Sequence, residues 1–387
     1  MIEPNALMID VDRMTETFLT LARIDSPSFE EREIAEHLLA ELRALGGDAT
    51  MDDAGAAVGG NAGNIFARFA GTGRGPAVLL SAHMDTVSPG RGVRPVRDGQ
   101  RIRSDGSTIL GADDKSGLAI ILEVLRAFRE RKLPHPPIEV VFTVCEEPGL
   151  MGAKALHLAR LSAQDGLVLD SGPASSLFVR GPAADRLEVT VRGRAAHAGV
   201  CPERGVSAIQ VAADAIARMA LGRIDHETTA NIGLIEGGTA VNIVPDRVTV
   251  RGEARSHDEE KLSAQSDRMV RCFHAAAAAR SIKTGGQTLQ ANIEAKVTRD
   301  YNRMRLGEQA PVVQWVLEAA RQMKATVRCE STGGGCDANV FNSHGLRIAN
   351  LGTGMREIHT TGEYLLLDEF SQTGRVVFSM LRQAASR

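Results

Sequence analysis

The chain has 387 residues, 43% of them hydrophobic and 24% charged, with a formal net charge of −3. That length can bury a full core and suggests two domains, or one large domain with an insertion. The near balance of charge excludes a nucleic-acid footprint and a polybasic membrane patch, and no apolar run reaches membrane-spanning length.

The opening residues, Met1-Ile2-Glu3-Pro4-Asn5, lack a basic stretch followed by an apolar run, so no signal peptide is read there. Val11, Met14, Phe18 and Leu21 have helical spacing. Ser28 and Glu31 read as a capping box for a second helix, with Ile34, Leu38, Leu42 and Leu45 on one face and a stop at Gly46-Gly47. Residues 64–69 read as a strand, followed by a glycine-rich turn. Residues 77–82 form a short continuous apolar run, as a buried parallel strand does. A helix over 118–128 and further buried strands over 138–144 and from 166 complete an alternating pattern. That pattern predicts an α/β sheet covered on both faces.

After about residue 182 the text changes. Leu187 to Val191 alternates in polarity, as a half-exposed strand does. A helix over 207–219, strands over 230–235 and 247–254, a long helix over 258–279 and a strand over 292–297 spell βαββαβ. This is a separate, smaller α+β domain. From about Pro311 the helix, glycine turn and strand pattern returns. The expected organisation is a catalytic α/β domain (1–182 and 299–387) interrupted by an inserted domain (183–298). The five cysteines, Cys145, Cys201, Cys272, Cys329 and Cys336, are odd in number and form no CxxC pair, which favours a reducing cytoplasm over a disulfide framework.

Five segments carry candidate chemistry. Ser81-Ala82-His83-Met84-Asp85 ends a buried strand, where ligands gather in α/β sheets. His83 and Asp85 share one face of an extended chain, so Asp85 can hold the second ring nitrogen of a metal-binding His83. The plainer reading is a turn histidine with an aspartate cap. Gly111-Ala112-Asp113-Asp114-Lys115 pairs two acids that repel unless a cation is near, or that cap the following helix. Cys145-Glu146-Glu147 also follows a buried strand; one glutamate can bind metal while its neighbour handles a proton, or both can be solvated. Asp170 ends a third strand, and His359 lies in a late polar loop, Glu357 to Glu363. Nitrogen and carboxylate donors without thiolate suit zinc, manganese or cobalt.

Taken together and in order, His-Met-Asp-Thr-Val (83–87), Gly-Ala-Asp-Asp-Lys (111–115), the Glu146-Glu147 pair, Gly-Gly-Gly-Cys-Asp-Ala-Asn (333–339) and Ile-His-Thr-Thr (358–361) resemble the di-zinc exopeptidases. That family includes peptidase T, glutamate carboxypeptidase, aminoacylase and succinyl-diaminopimelate desuccinylase, and peptidase T-like proteins are the nearest match. The resemblance implies two divalent ions, zinc with cobalt or manganese as alternatives. Asp113 would bridge them, His83 and Asp170 would hold one, and Glu147 and His359 the other. Asp85 would support His83, Glu146 would be the general base to water activated by the metals, and the Asp113–Asp114 peptide would be cis. The inserted domain would be a lid and dimerisation surface. There His197 would donate to the oxyanion, and Asn242 and Arg255 would hold the substrate carboxylate. Gly334 and Gly335 would let a substrate backbone approach.

The implied substrate is a small peptide cut at a terminal amide. An N-acyl amino acid cut by the same residues is the alternative, and a binding protein that has lost its chemistry is a more distant one. Neither nucleic acid nor membrane is an expected partner. Cys336 departs from the family, where serine often follows the glycines; it reads as a small buried residue rather than a nucleophile. His37, His135, His257 and His274 receive no role.

Overall fold

The structure is a computed structural model that describes residues 9–284 and 286–386; the segment Met1–Asn5 lies outside them. The chain divides into two compact units. The first comprises the described residues up to Arg180, Met304–Thr332 and those from Cys336 onward; the second comprises Gly181–Arg303 and Gly333–Gly335.

In the first unit the strands Val78–His83, Ile138–Thr143, Asp165–Val168 and Arg347–Leu351 run parallel at the centre of a nine-stranded sheet. Every residue of the first three is buried, as their unbroken apolar runs require. Successive side chains leave opposite faces. Leu80, Val140 and Leu167 enter one core with Leu118 and Phe370, whereas Leu79, Val141 and Val168 enter another with Phe341 and Ile348. Both faces are therefore covered. The sheet is mixed, because Asp48–Met51, Ile65–Phe69 and Ser176–Gly181 join it antiparallel. The helix Ala112–Arg131 is buried along most of its length, with an apolar middle from Leu118 to Leu122. Its Phe128 ring stacks on Phe378 with centroids 4.6 Å apart.

One sequence expectation fails here. The helix Arg32–Ala44 follows Glu31, whose side chain does not cap it; Asn61 Oδ1 accepts the Arg32 amide at 3.0 Å. Ser28 instead donates to Asp85 Oδ2 at 2.7 Å, and Glu31 Oε1 accepts the Cys145 amide at 2.9 Å. Both polar groups are drawn into buried partnerships that a local capping box cannot match.

A small antiparallel sheet was not legible in the sequence. It joins Met355–Arg356, Tyr364–Leu366, Arg101–Arg103 and Val96–Asp98. The hairpin between its first two strands carries His359 at its tip.

In the second unit, Thr228–Gly237, Arg247–Ser256, Ala183–Arg192 and Asn292–Tyr301 form an antiparallel sheet with the short strand Gly222–Arg223 at its edge. Ala183–Arg192 alternates buried and exposed residues towards its end, as its sequence does. The helices Ala208–Ala217 and Glu259–Ala279 supply Val211, Leu262, Met269 and Phe273 to a core with Leu187, Val189 and Val250. Ser207 and Asp258 cap them by accepting amides three residues on.

Candidate metal centre

The parallel register sets the carboxyl ends of three strands side by side, with His83 opposite Thr143. His83 ends its own strand, Glu146 and Glu147 follow the second, and Asp170 follows the third. Asp113 sits at the start of the buried helix, and the peptide joining it to Asp114 is cis.

These side chains meet. His83 Nε2 lies 3.0 Å from Asp113 Oδ1, and His359 Nε2 lies 3.2 Å from Asp113 Oδ2. The two oxygens of one carboxylate thus face two imidazoles. Glu147 Oε2 is 3.0 Å from His359 Nε2, and Asp170 Oδ1 is 4.0 Å from His83 Nε2. Donors around one tetrahedral zinc ion, with bonds of about 2.0–2.1 Å, stand about 3.3 Å apart. His83, Asp113 and Glu147 offer donor atoms that all lie within 4.8 Å of one another, as do His83, Asp114 and Asp170.

Asp114 is the one acid of the second trio that the sequence left without a ligand role. Its Oδ2 accepts the His83 amide and its Oδ1 the Gly117 amide, both at 3.2 Å. Backbone donors thus occupy both oxygens, and of the adjacent aspartates it is Asp114 that satisfies the helix start.

The electrostatics suit cations. Burial pushes the Asp170 carboxyl well above its usual range, and the charges of Asp113 and Glu146 add to the shift. Burial does the same to Glu146; His83 opposes it, while Asp337 and Glu147 reinforce it. Burial would also raise Asp113, but hydrogen bonds from His359 and His83 outweigh it and hold its carboxyl well below the ordinary range. His359 is pushed up to about 10 by its bonds to Asp113 and Glu147. Two imidazoles cannot neutralise this many carboxylates. Lys115, the nearest buried cation in sequence, donates to the Ile24 carbonyl at 2.6 Å. Glu147 Oε1 is buried with no hydrogen-bond partner among the described residues. An orphaned oxygen among crowded acids and imidazole nitrogens fits a pair of divalent cations.

The scaffold beneath is largely hydrogen-bonded carboxylate. His83 Nδ1 meets the Asp85 backbone carbonyl at 2.9 Å and its carboxylate at 3.4 Å. The main service of the Asp85 carboxylate lies elsewhere: it accepts the amides of Glu146 at 2.8 Å and Glu147 at 3.2 Å. Cys145 adopts φ +50°, a left-handed turn that aims both amides at it.

Two further residues escaped the sequence reading. Asn350 brackets Asp170, accepting its amide at 3.0 Å and donating to its carbonyl at 2.6 Å. The same Asn350 amide nitrogen lies 3.3 Å from Cys336 Sγ, which is buried as expected. Glu363 is buried and accepts the amides of Leu110 at 2.8 Å, Gly111 at 2.7 Å and Asp113 at 3.0 Å. Burial raises its carboxyl to about 7 against the pull of those amides. An acid four residues after a candidate ligand histidine was the only available signal.

In the second unit, His197 is exposed and bridges antiparallel to Ile243, and the Ala198 amide donates to the Asn242 carbonyl at 2.9 Å. His197 and Asn242 therefore lie side by side. Arg255 is half-buried and makes a double hydrogen bond to Glu253, at 2.9 and 3.0 Å. Gly335 has a local reason to be glycine: a Cβ there would stand 2.3 Å from the Tyr301 ring. Its neighbour Gly334 is half-buried.

Comparison with known proteins agrees with this architecture. Residues 183–280 match the M20 peptidase dimerisation domain, and residues 64–169 match peptidase family M28. The protein YqjE of Bacillus subtilis is 41% identical over 98% of this chain and 100% of its own length. The crystal structure of aminopeptidase PepT from Bacillus cereus is 40% identical, covering 98% of this chain and 100% of that one, with a TM-score of 0.85. The chain belongs to the M20 metallopeptidase family, among its peptidase T-like members. The structure of a tripeptidase from Staphylococcus aureus gives a TM-score of 0.90 at 38% identity, over 98% of this M20 chain and 99% of its own. Among the described residues of the M20 chain no helix is long and apolar enough to cross a membrane.

Proposed function

We propose that the protein is a di-metal exopeptidase that removes a terminal residue from small peptides, tripeptides above all. The observation that carries this is the Asp113 carboxylate facing His83 on one oxygen and His359 on the other, with Glu147 and Asp170 at the flanks. Likeness to an aminopeptidase PepT and a tripeptidase supports the substrate class. Asp113 would bridge, His83 with Asp170 would hold one ion, and Glu147 with His359 the other. Nitrogen and carboxylate donors at these spacings favour zinc, with cobalt or manganese as substitutes. Bound there, the ions would supply Lewis acidity to the scissile carbonyl and the attacking water.

The chain's own residues would do the rest. Glu146, buried and held by its amide to Asp85, takes the proton of the attacking water on its carboxylate. It then passes that proton to the leaving amine nitrogen. Asp85 fixes the His83 ring through its carbonyl and the Glu146-Glu147 turn through its carboxylate. His197 donates to the developing oxyanion, and Asn242 and Arg255 bind the terminal carboxylate of the peptide. Gly334 and Gly335 line the approach of its backbone.

Residues 183–298 act as the inserted lid and as the surface of a homodimer, which the match to a dimerisation domain supports. The enzyme works in the cytoplasm, a reading supported by five cysteines that are all free. The test is hydrolysis of di- and tripeptides and N-acyl amino acids, with zinc, cobalt and manganese in turn. Cleavage of free tripeptides is expected; turnover of N-acyl amino acids alone would replace this reading with a deacylase.

A further inference from the structure

His359 differs from the other candidate ligands in how it is held. His83 and Asp113 are buried, whereas the His359 side chain is 49% exposed, so packing does not fix its ring. Its backbone is left-handed at φ +64°, and Glu357 is left-handed at φ +50°. The loop is closed on itself: Thr360 Oγ1 donates to the Glu357 carbonyl at 2.7 Å, the Gly362 amide donates to Thr360 Oγ1 at 3.1 Å, and the Glu363 amide donates to the Thr360 carbonyl at 3.1 Å. Residues 357–363 are therefore tied into one turn, and Glu363 is the buried end of it.

The Glu363 carboxylate accepts three backbone amides from a segment some 250 residues away in sequence, one of them the amide of Asp113 itself. It is thereby the joint between the loop that carries His359 and the loop that carries Asp113. None of its hydrogen bonds reaches His83, Glu147 or Asp170. A buried carboxylate matched to three converging amides tolerates little displacement. An amide side chain in its place turns a donor towards donors, and a shorter acid cannot span all three.

We propose that Glu363 is a positioning residue that sets the 3.2 Å approach of His359 to Asp113 and so governs the ion shared by Asp113, Glu147 and His359 more strongly than the ion on the His83 side, whose ligands His83 and Asp170 it does not touch. The inference rests on the di-metal reading. It goes beyond that reading in assigning one ion's affinity to a residue that touches neither ion.

The test is cobalt titration of metal-free wild-type protein, Glu363→Gln and Glu363→Asp, followed by visible absorption and by bound cobalt after ultrafiltration. Thermal melts of the metal-free proteins run alongside. Wild-type should take up two equivalents. Both variants should keep the tighter equivalent and bind the other about 10–100-fold more weakly, the usual cost of losing a group that orients a ligand. Excess cobalt should restore the second band. A purely structural role would lower the melting temperature without moving the cobalt curve, and that result overturns the proposal. So does Glu363→Asp binding like wild-type while Glu363→Gln does not, since charge alone would then be acting. Should wild-type itself take up fewer than two equivalents, the di-metal reading fails first, and the variants are not what decides it.

Discussion

The carboxylate of Asp85 accepts the backbone N–H of Glu146 at 2.8 Å. The residue beside a candidate metal ligand thus holds the candidate base. Asp85→Asn replaces an acceptor with a donor facing the Glu146 or Glu147 amide, or the Ser28 hydroxyl. The His83 ring keeps its contact to the backbone carbonyl of residue 85. Turnover should fall by about 10–100-fold with metal content near two per chain. Ser28→Ala removes one bond from the same carboxylate and should cost about 1 kcal/mol of stability, with a smaller loss of rate. Metal analysis beside steady-state kinetics checks both.

Glu146 and Glu147 are adjacent but differently placed. Glu147 has one oxygen 3.0 Å from His359 and the other buried without a hydrogen-bond partner among the described residues. Glu147→Gln should weaken metal binding. Glu146→Gln should leave metal in place and lower kcat by at least ~10²-fold, the lower end of general acid–base contributions. Loss of metal from the Glu146 variant alone would exchange the two roles.

The crowded acids predict a pH-dependent fold. With no cation present, burial raises Asp170, Glu146 and Asp114 above their unfolded values. Groups of this kind stabilise the metal-free fold at acid pH, and the contribution is lost as pH rises through the folded value. His359 acts with the same sign: its contribution is whole below 6.5 and is lost as pH climbs to about 10. Asp113, held low, loses its contribution only as pH falls below the carboxylate range, outside this window. Between about pH 5 and about pH 9 the chelated protein should therefore lose melting temperature, while the gain on adding zinc grows, because metal must displace those protons. Calorimetry of chelated and reloaded protein measures both. A metal-induced gain that does not change across this range would contradict the cluster's electrostatics.

Much of this site could be read from the sequence because parallel strands end together. Once 77–82, 138–144 and 166–169 read as buried strands, His83, Glu147 and Asp170 had to share one edge. Nothing periodic announces two-residue strands such as Met355–Arg356, so the hairpin that brings His359 in was invisible, and Glu363 with it. Ser28 and Glu31 misled for a related reason: their spacing fits a capping box, but buried partners more than fifty residues away compete for the same oxygens. Gly335 has a further local reason to be glycine that the sequence did not announce, the Tyr301 ring.

His197 offers the sharpest test of the proposed chemistry. His197 is exposed, and its ring Nδ1 accepts the Gly199 amide at 3.2 Å. That bond favours one tautomer: with Nδ1 an acceptor, a neutral imidazole carries its proton on Nε2, which can then donate. Ala196, Ala198 and Gly199 around it are small, so nothing beside it competes for that proton. A donor used only as charge develops on the substrate oxygen stabilises the transition state more than the bound substrate. His197→Ala should therefore keep both metals, hold KM within a few-fold and lower kcat by ~10²–10³, the cost of one oxyanion donor. The Glu146→Gln chain lacks the base but keeps His197. If the donor crosses between subunits, mixing the two inactive chains gives hybrid dimers in which one site regains both groups, and partial activity returns. If it acts within its own chain, every site in the mixture lacks one group and no activity returns. A His197→Ala enzyme with normal kcat would remove the residue from the mechanism in either arrangement.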